Sequence, residues 1–399
     1  MILNIKKIIF EIKFVQLTTN YSFKIFESTN ELPLDWEKLA SQNILLSINY
    51  LKVLEQSKPN NISVFFIAIF HDKNLIGIAN SMLINLNLLS SFGDRDKCIK
   101  TFFRNLIFKY FSSHVLVIGN NFFTGQNAFV LDKNCEKIKA ISTLKNAADA
   151  LVLLLKSKKQ KVHITTFKDF DSDDLNLFNK VDYKEFTTFT TQPNMVFSIK
   201  ENWKTEQDYV ADLSKKYRDQ YKRSHKKIEE IIKKKLSLKD IQTHQKTIYD
   251  LYFYVAKNAP FNTFFLAENH FAKLKEILQD NFLFYGYFLN EKLIGFNTLI
   301  KNGSAMETYF LGYDEAIQRE KMLYLNMLYD IIGYSIKKEF KSILFARTAL
   351  EIKSSVGAKP IKMFGFMRHQ NKYINRFMSK FINYFEPETI WQERNPFKD

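Results

Sequence analysis

Glycine, cysteine and histidine are what this chain has least of, and each shortage removes a class of chemistry. Glycine makes up 11 of 399 residues, about 3% against a usual ~7%. No two glycines form a G-x-G, so neither a Rossmann G-x-G-x-x-G fingerprint nor a Walker phosphate loop is present. The two cysteines, Cys98 and Cys135, form no C-x-x-C and no disulfide framework; they read as reduced thiols of a cytosolic protein. The seven histidines show no H-E-x-x-H or H-x-x-x-H spacing, so no metal is expected. A G-x-S-x-G nucleophile elbow is also missing. No apolar run approaches the ~18–20 residues of a membrane span. The opening MILNIKKIIFEIKF is broken by Lys6, Lys7, Glu11 and Lys13 and reads as mature protein rather than a signal peptide.

What is present is 46% hydrophobic and 25% charged, the profile of a folded protein long enough for two domains. The formal net charge is +16. Because Lys, Ile, Asn, Phe and Tyr are enriched together, AT-rich coding alone would produce much of it. Otherwise the charge favours anionic partners.

One pattern occurs twice. FFIAIFHDKNLIGI spans 65–78 and FYGYFLNEKLIGF spans 284–296, with Gly77 and Gly295 218 residues apart. Each is an aromatic-rich run, a polar turn and a second run opening on Leu-Ile-Gly, the pattern of a β-hairpin. The first hairpin is expected over 64–85, after a strand at 22–26 and a helix at 34–54. A strand at 115–119, a helix at 143–158 and a strand at 161–167 follow. The second hairpin is expected over 282–301, after a strand at 195–199, a helical stretch at 205–234 opened by a Thr205–Asp208 capping box, and helices at 248–258 and 271–279. A strand at 305–311, a helix at 317–338, a strand at 341–346 and a helix at 349–356 complete it. Pro193 is expected to separate two extended runs, dividing the chain into domains 1–192 and 193–399.

This order resembles the GCN5-related N-acetyltransferase (GNAT) fold, and two copies in one chain resemble the FemAB-like and CelD-like acyltransferases. FARTALEIKSSVGAKP at 345–360 carries the motif resemblance, through Arg347, Glu351, Lys353 and Gly357. The resemblance implies an α/β mixed-sheet fold in two tandem GNAT-like domains. It further implies a bacterial acyltransferase moving an acyl group from acyl-coenzyme A to an amine on a small molecule, a lipid or a cell-wall precursor. Acetyltransferases of this superfamily hold the coenzyme pyrophosphate on a glycine turn opening a helix. Here QREKML at 318–323 has no glycine, and Arg319 and Lys321 are the candidates to bind the cofactor. FemAB-like members also lack that turn and some use aminoacyl-tRNA, which is the alternative donor. A degenerate binding module is the non-enzymatic alternative.

Acyl transfer to an amine needs a base, an acid and an oxyanion contact. Glu307 and Tyr309, two apart on one strand, share a face and are the candidate base and acid; their bland readings are a solvated rim carboxylate and a half-buried strand residue. Arg347, at a strand end, suits a carboxylate or phosphate. Glu351 is a candidate substrate contact, although Thr348-x-x-Glu351 also reads as a capping box with Gly357 as helix terminator. Lys353 is singled out by the resemblance alone, as a catalytic anion or oxyanion contact. The stretch KKYRDQYKRSHKKIEEIIKKK, from Lys215 to Lys235, reads first as a solvated helix with Tyr217 and Tyr221 as core anchors. Its functional readings are contact with tRNA or with an anionic membrane surface. The first copy offers only Gly93-Asp94, the Gly119-Asn120-Asn121-Phe122 turn and Thr124-Gly125, and is expected to have lost catalysis. The expected location is the cytoplasm or the inner face of the membrane.

Overall fold

The computed structural model describes residues 14–16, 20–89, 109, 111–181, 183–259, 262–385 and 391–398. The amino-terminal run, Gly93-Asp94 and Cys98 lie outside them. By internal contacts the chain forms two compact units: Met1–Thr191 with Lys362–Glu388, and Gln192–Ile361 with Thr389–Asp399.

In chain order the first unit holds β1 (Phe14–Gln16), β2 (Tyr21–Phe26), α1 (Trp36–Ala40), α2 (Ile48–Ser57), β3 (Ile62–His71), β4 (Asn74–Asn85), β5 (His114–Ile118), β6 (Phe129–Leu131), α3 (Lys137–Ser157), β7 (Ile164–Phe170) and α4 (Ser172–Phe178). Strand β8 (Thr187–Ser198) passes into the second unit. There follow α5 (Glu206–Asp212), α6 (Lys215–Lys227), β9 (Ile232–Lys235), α7 (Leu238–Thr243), α8 (Gln245–Asn258), α9 (His270–Leu278), β10 (Phe282–Leu289), β11 (Lys292–Asn302), β12 (Ala305–Tyr313), α10 (Glu315–Lys321), α11 (Leu323–Lys337), β13 (Ser342–Leu344) and α12 (Leu350–Ser355). The chain ends with β14 (Lys359–His369), α13 (Lys372–Asn375) and α14 (Met378–Phe385). Sequence analysis places all of 193–399 in one domain. In the structure, β14 pairs antiparallel with β7, and residues 362–388 group with the first unit.

The repeated hairpins are built alike. Asp72 and Lys73 join β3 to β4 at φ 49° and 69°; Asn290 and Glu291 join β10 to β11 at φ 47° and 63°. Such left-handed residue pairs match the twist of the flanking strands. Both ladders shift register at the same place, between Ile69 and Phe70 and between Tyr287 and Phe288. In each unit the second hairpin strand pairs antiparallel with the next strand (β4 with β5, β11 with β12). That strand then pairs in parallel with a later one, β5 with β7 and β12 with β13. Helix α3 covers one face of the first sheet through Ile141, Leu144, Ala148, Leu151 and Leu155. Helices α5 and α11 cover one face of the second around Met195, Phe197, Tyr209, Met306, Tyr329 and Ile332.

Four expected elements differ. The stretch 34–54 is two short helices, with Asn43 and Ser47 each accepting backbone N–H groups at the break. Strand β8 runs unbroken through Pro193. The helix expected over 317–338 is divided at Met322, which is left-handed at φ 53°. The stretch 205–234 does open on the Thr205–Asp208 capping box, but it breaks at Leu213–Ser214, ends at Lys227 and continues as β9, paired with β10 through Ile232↔Phe288 and Lys235↔Tyr285. A lysine-bearing edge strand is a common device against edge-to-edge association. Among the described residues no helix is long and apolar enough to cross a membrane.

Candidate active site

The parallel pair β12–β13 is short. It holds from Ala305↔Ser342 to Glu307↔Leu344 and stops. Beyond it the Thr308 hydroxyl donates to the Leu344 carbonyl at 2.9 Å, while the Phe345 N–H donates instead to Met195 at the β8 side. The two strands part there. Glu307 is the last residue of β12 paired with β13, with Tyr309 two positions further along β12 and Phe345–Arg347 following β13 on the opposite side. The carboxyl ends of neighbouring parallel strands are where open sheets bind ligands.

Met306 packs beneath α11, so Glu307 faces the other way, toward the side covered by α8 and α9. It is 4% exposed, a buried carboxyl and not a solvated rim group. Burial raises its pKa to about 7, against a smaller opposing effect from the Asn302 amide, which donates to Oε1 at 3.2 Å. Tyr309 is 9% exposed. Its hydroxyl lies 2.8 Å from Nε2 of His270, which is fully buried on α9. Sequence reading missed His270 and Asn302: a histidine 39 residues before its partner carries no local signal.

The 218-residue offset aligns the two units strand by strand. Ser81↔Ile118 matches Leu299↔Thr308, and Ala79↔Phe129 matches Asn297↔Leu311. Between these anchors the second unit has only Tyr309 and Phe310, whereas the first has residues 119–128. In that segment the Asn120 amide donates to the Tyr50 hydroxyl at 3.1 Å while its oxygen accepts from Phe122 N–H, an Asx turn. Met82↔Val117 matches Ile300↔Glu307. The first unit therefore has valine in place of the carboxylate and no counterpart of Tyr309.

The remaining expected residues are not gathered at Glu307. Lys353 is 4% exposed. Its ammonium donates to the carbonyls of Phe345 and Ala346, and burial alone lowers its pKa to about 7. Arg347 is half-buried, in a turn bounded by left-handed Ala346 (φ 60°) and Ala349 (φ 53°). The expected capping box at Thr348 is not formed: the cap of α12 is Ala349. Glu351 accepts from Gln392 N–H and pairs with Arg394 at 3.4 Å. Gly357 does end the helix, at φ 108°. Arg319 pairs with Glu315 on its own helix, and Lys321 with Glu230 at 3.1 Å and Glu320 at 3.5 Å. Neither is presented as a free cation at the start of α11, where no glycine stands between Gln318 and Leu323. In the 215–235 stretch, Tyr217 is buried, and Tyr221 donates to Glu206 at 2.9 Å. A cavity of about 240 Å³ beside it is lined by Lys226, Lys227 and Lys321 against Glu229, Glu230 and Glu320, a balance that favours no anion.

No protein-family model and no curated protein matches the sequence. Among solved structures, the chain is similar to FemX, with 10% identity over 89% of this chain and 99% of that one and a TM-score of 0.54. The chain folds like FemX. A conserved protein of unknown function from Bacteroides thetaiotaomicron is also similar, at 10% identity, 85% and 98% coverage and a TM-score of 0.50. So is a tandem GNAT protein from the clavulanic acid pathway, at 7% identity, 88% and 99% coverage and 0.48. The expected fold class, an α/β mixed sheet in two tandem units, is the observed one, and the likeness to FemX is one of fold.

Proposed function

We propose that the second unit is an acyltransferase that moves an acyl group from acyl-coenzyme A to an amine. The observation that carries this reading is Glu307: a buried carboxyl with a pKa near 7, at the point where two parallel strands part, with valine in its place in the first unit. A base poised near the working pH combines a useful ionised fraction with proton affinity. Glu307 takes the proton of the attacking amine as the C–N bond forms. When the tetrahedral intermediate collapses and the bond to the donor sulfur breaks, the Tyr309 hydroxyl protonates the leaving thiolate. His270 holds that hydroxyl in place. Lys353, by filling the Phe345 and Ala346 carbonyls, fixes the segment that follows β13, and Arg347 is the side chain there suited to a carboxylate or phosphate on the substrate. The acceptor class we propose is an amine-bearing small molecule, lipid or cell-wall precursor, met in the cytoplasm or at the inner face of the membrane.

A second reading, an aminoacyl-tRNA donor, is favoured by two observations. Arg319 and Lys321 are already paired with carboxylates. Exposed Lys222, Arg223 and Lys226 on α6 have no ion-pair partner among the described residues.

A thermal-shift titration with coenzyme A, acetyl-coenzyme A, a long-chain acyl-coenzyme A and bulk tRNA at two salt concentrations separates the readings. A ligand at ~100 times its dissociation constant adds roughly 2.7 kcal/mol of stability. A rise with acyl-coenzyme A that survives moderate salt supports the first reading. A rise with tRNA only, lost with salt, supports the second. No shift with any of them leaves a binding module.

A further inference from the structure

The end of the first unit carries a charge asymmetry that the acyl-transfer reading does not use. From Lys362 to Phe385 the sequence has no Asp or Glu. Arg368 is paired with Asp149 and Glu185, which leaves Lys362, Lys372, Arg376 and Lys380 as the exposed cations of the segment. Within it, α13 and the start of α14 place Lys372, Arg376 and Lys380 four apart, and Tyr373 and Phe377 four apart beside them. Residues four apart lie on one side of a helical path. The aromatic rings are uncovered: Tyr373 is 85% exposed and Phe377 49%. Lys372, Arg376 and Lys380 are exposed too, with no ion-pair partner among the described residues.

The segment is held firmly from beneath. Met378 and Ile382 are buried. The Asn375 side chain accepts from His369 N–H at 2.8 Å and donates to the Glu185 carbonyl at 2.8 Å. Nδ1 of His369 accepts from Asn371 N–H, so Nε2 carries the hydrogen and donates to the Phe111 carbonyl at 2.7 Å. That bond brings exposed Phe111 and the neighbouring Lys109 to the same region. Its anchoring groups turned inward, the segment presents aromatic rings flanked by cations on its outer side.

We propose that this face, built from Phe111, Tyr373 and Phe377 with Lys372, Arg376 and Lys380, docks on an anionic phospholipid surface. Aromatic rings settle at the headgroup level, and flanking cations meet the lipid phosphates. Each cation near such a surface strengthens binding roughly fivefold. A protein groove would satisfy the rings, but Lys372, Arg376 and Lys380, exposed beside them and without an ion-pair partner among the described residues, select an extended anionic plane. The proposal is independent of acyl transfer and needs no turnover to test.

The test is co-sedimentation of the full chain with vesicles of phosphatidylcholine alone and of phosphatidylcholine mixed with phosphatidylglycerol. The expected result is binding to the mixed vesicles only. It should fall about 100-fold in Lys372→Ala/Arg376→Ala/Lys380→Ala, from roughly fivefold per cation, and about tenfold in Tyr373→Ser/Phe377→Ser. In Tyr373→Trp, where the exposed side chain leaves the fold undisturbed, the added indole should shift to shorter emission wavelength on mixed vesicles. Three results would overturn the proposal. One is unchanged binding in Tyr373→Ser/Phe377→Ser, which means generic attraction of a +16 chain. Another is an equal loss in Lys222→Ala/Arg223→Ala/Lys226→Ala, which places the contact on α6. Retention by bulk tRNA but not by vesicles would likewise assign the face to nucleic acid and sink the lipid reading.

Discussion

Replacing Glu307 by glutamine should stabilise the protein at neutral pH while abolishing its activity. In the unfolded chain this carboxyl titrates near 4.5, and in the fold burial raises it to about 7. Between those values the native state holds a proton that the unfolded state has released. Stability therefore falls as pH rises through that window and levels off above about 7. The full difference corresponds to about 3 kcal/mol, the free energy of keeping a carboxylate out of water with one amide for company. Glutamine keeps an oxygen for the Asn302 donor and carries no charge. For a unit of this size that gain is roughly 6–12 °C in melting temperature above pH 7, shrinking to nothing near pH 4.5. Thermal unfolding of the wild type and Glu307→Gln, scanned from pH 4.5 to pH 8, measures it. The difference between the two chains cancels other groups, such as His163, whose burial lowers its pKa to about 4, and Asp174, raised to about 6. Melting curves that stay parallel across this range would refute the reasoning, because Glu307 would then be as well solvated in the fold as out of it.

Lys353 gives the complementary alkaline signal. Its folded pKa is lowered from 10.5 to about 7, so the unfolded state binds the extra proton between those values and stability rises with pH across them. In Lys353→Met that rise should disappear. At pH 6 relief of the buried charge opposes the loss of the donor to Phe345 and Ala346, so that loss, about 1–3 kcal/mol for carbonyls left unpaired, is read at the alkaline end of the scan, where the wild-type amine is neutral in both states. Gly357→Ala should lower stability by at least about 1 kcal/mol, since its φ is 108° and a Cβ there would lie 2.5 Å from the Phe397 ring; calorimetry reads the shift. Arg319→Ala and Lys321→Ala should each change stability by less than about 0.5 kcal/mol, being surface ion pairs. If coenzyme A binds at the start of α11, as the sequence alone leads one to expect, the same variants lose the acyl-coenzyme A thermal shift.

The hairpins were legible because a polar turn followed by Leu-Ile-Gly is a local signal, and Asp72–Lys73 and Asn290–Glu291 adopt the backbone that signal calls for. Helices α3 and α11 were legible because their buried residues, such as Leu144, Ala148, Leu151 and Leu155, and Leu325, Tyr329, Ile332 and Ile336, recur three and four apart. The stretch 215–235 was not, because Ile228, Ile231 and Ile232 fit a helical face and an edge strand equally well, and pairing with β10 decided it. Glu307 and Tyr309 could be chosen from their alternation on a strand. That Glu307 is buried, that the parallel pairing stops beside it and that His270 meets Tyr309 all depend on contacts between distant segments. The capping box expected at Thr348 failed for a related reason: the Gln392–Arg394 segment reaches Glu351 and takes up its carboxylate.

The central claim is that Glu307 is the base of an acyl transfer. Its most direct test is the rate of acyl transfer to a panel of amines, from labelled acetyl-coenzyme A and from labelled aminoacyl-tRNA, by the wild type and by Glu307→Gln. The account predicts that the wild type acylates at least one amine from one of the donors. The variant should be slower by about 10²-fold or more, the usual contribution of a general base, while melting at the same temperature or higher. Equal rates for the two chains would contradict it.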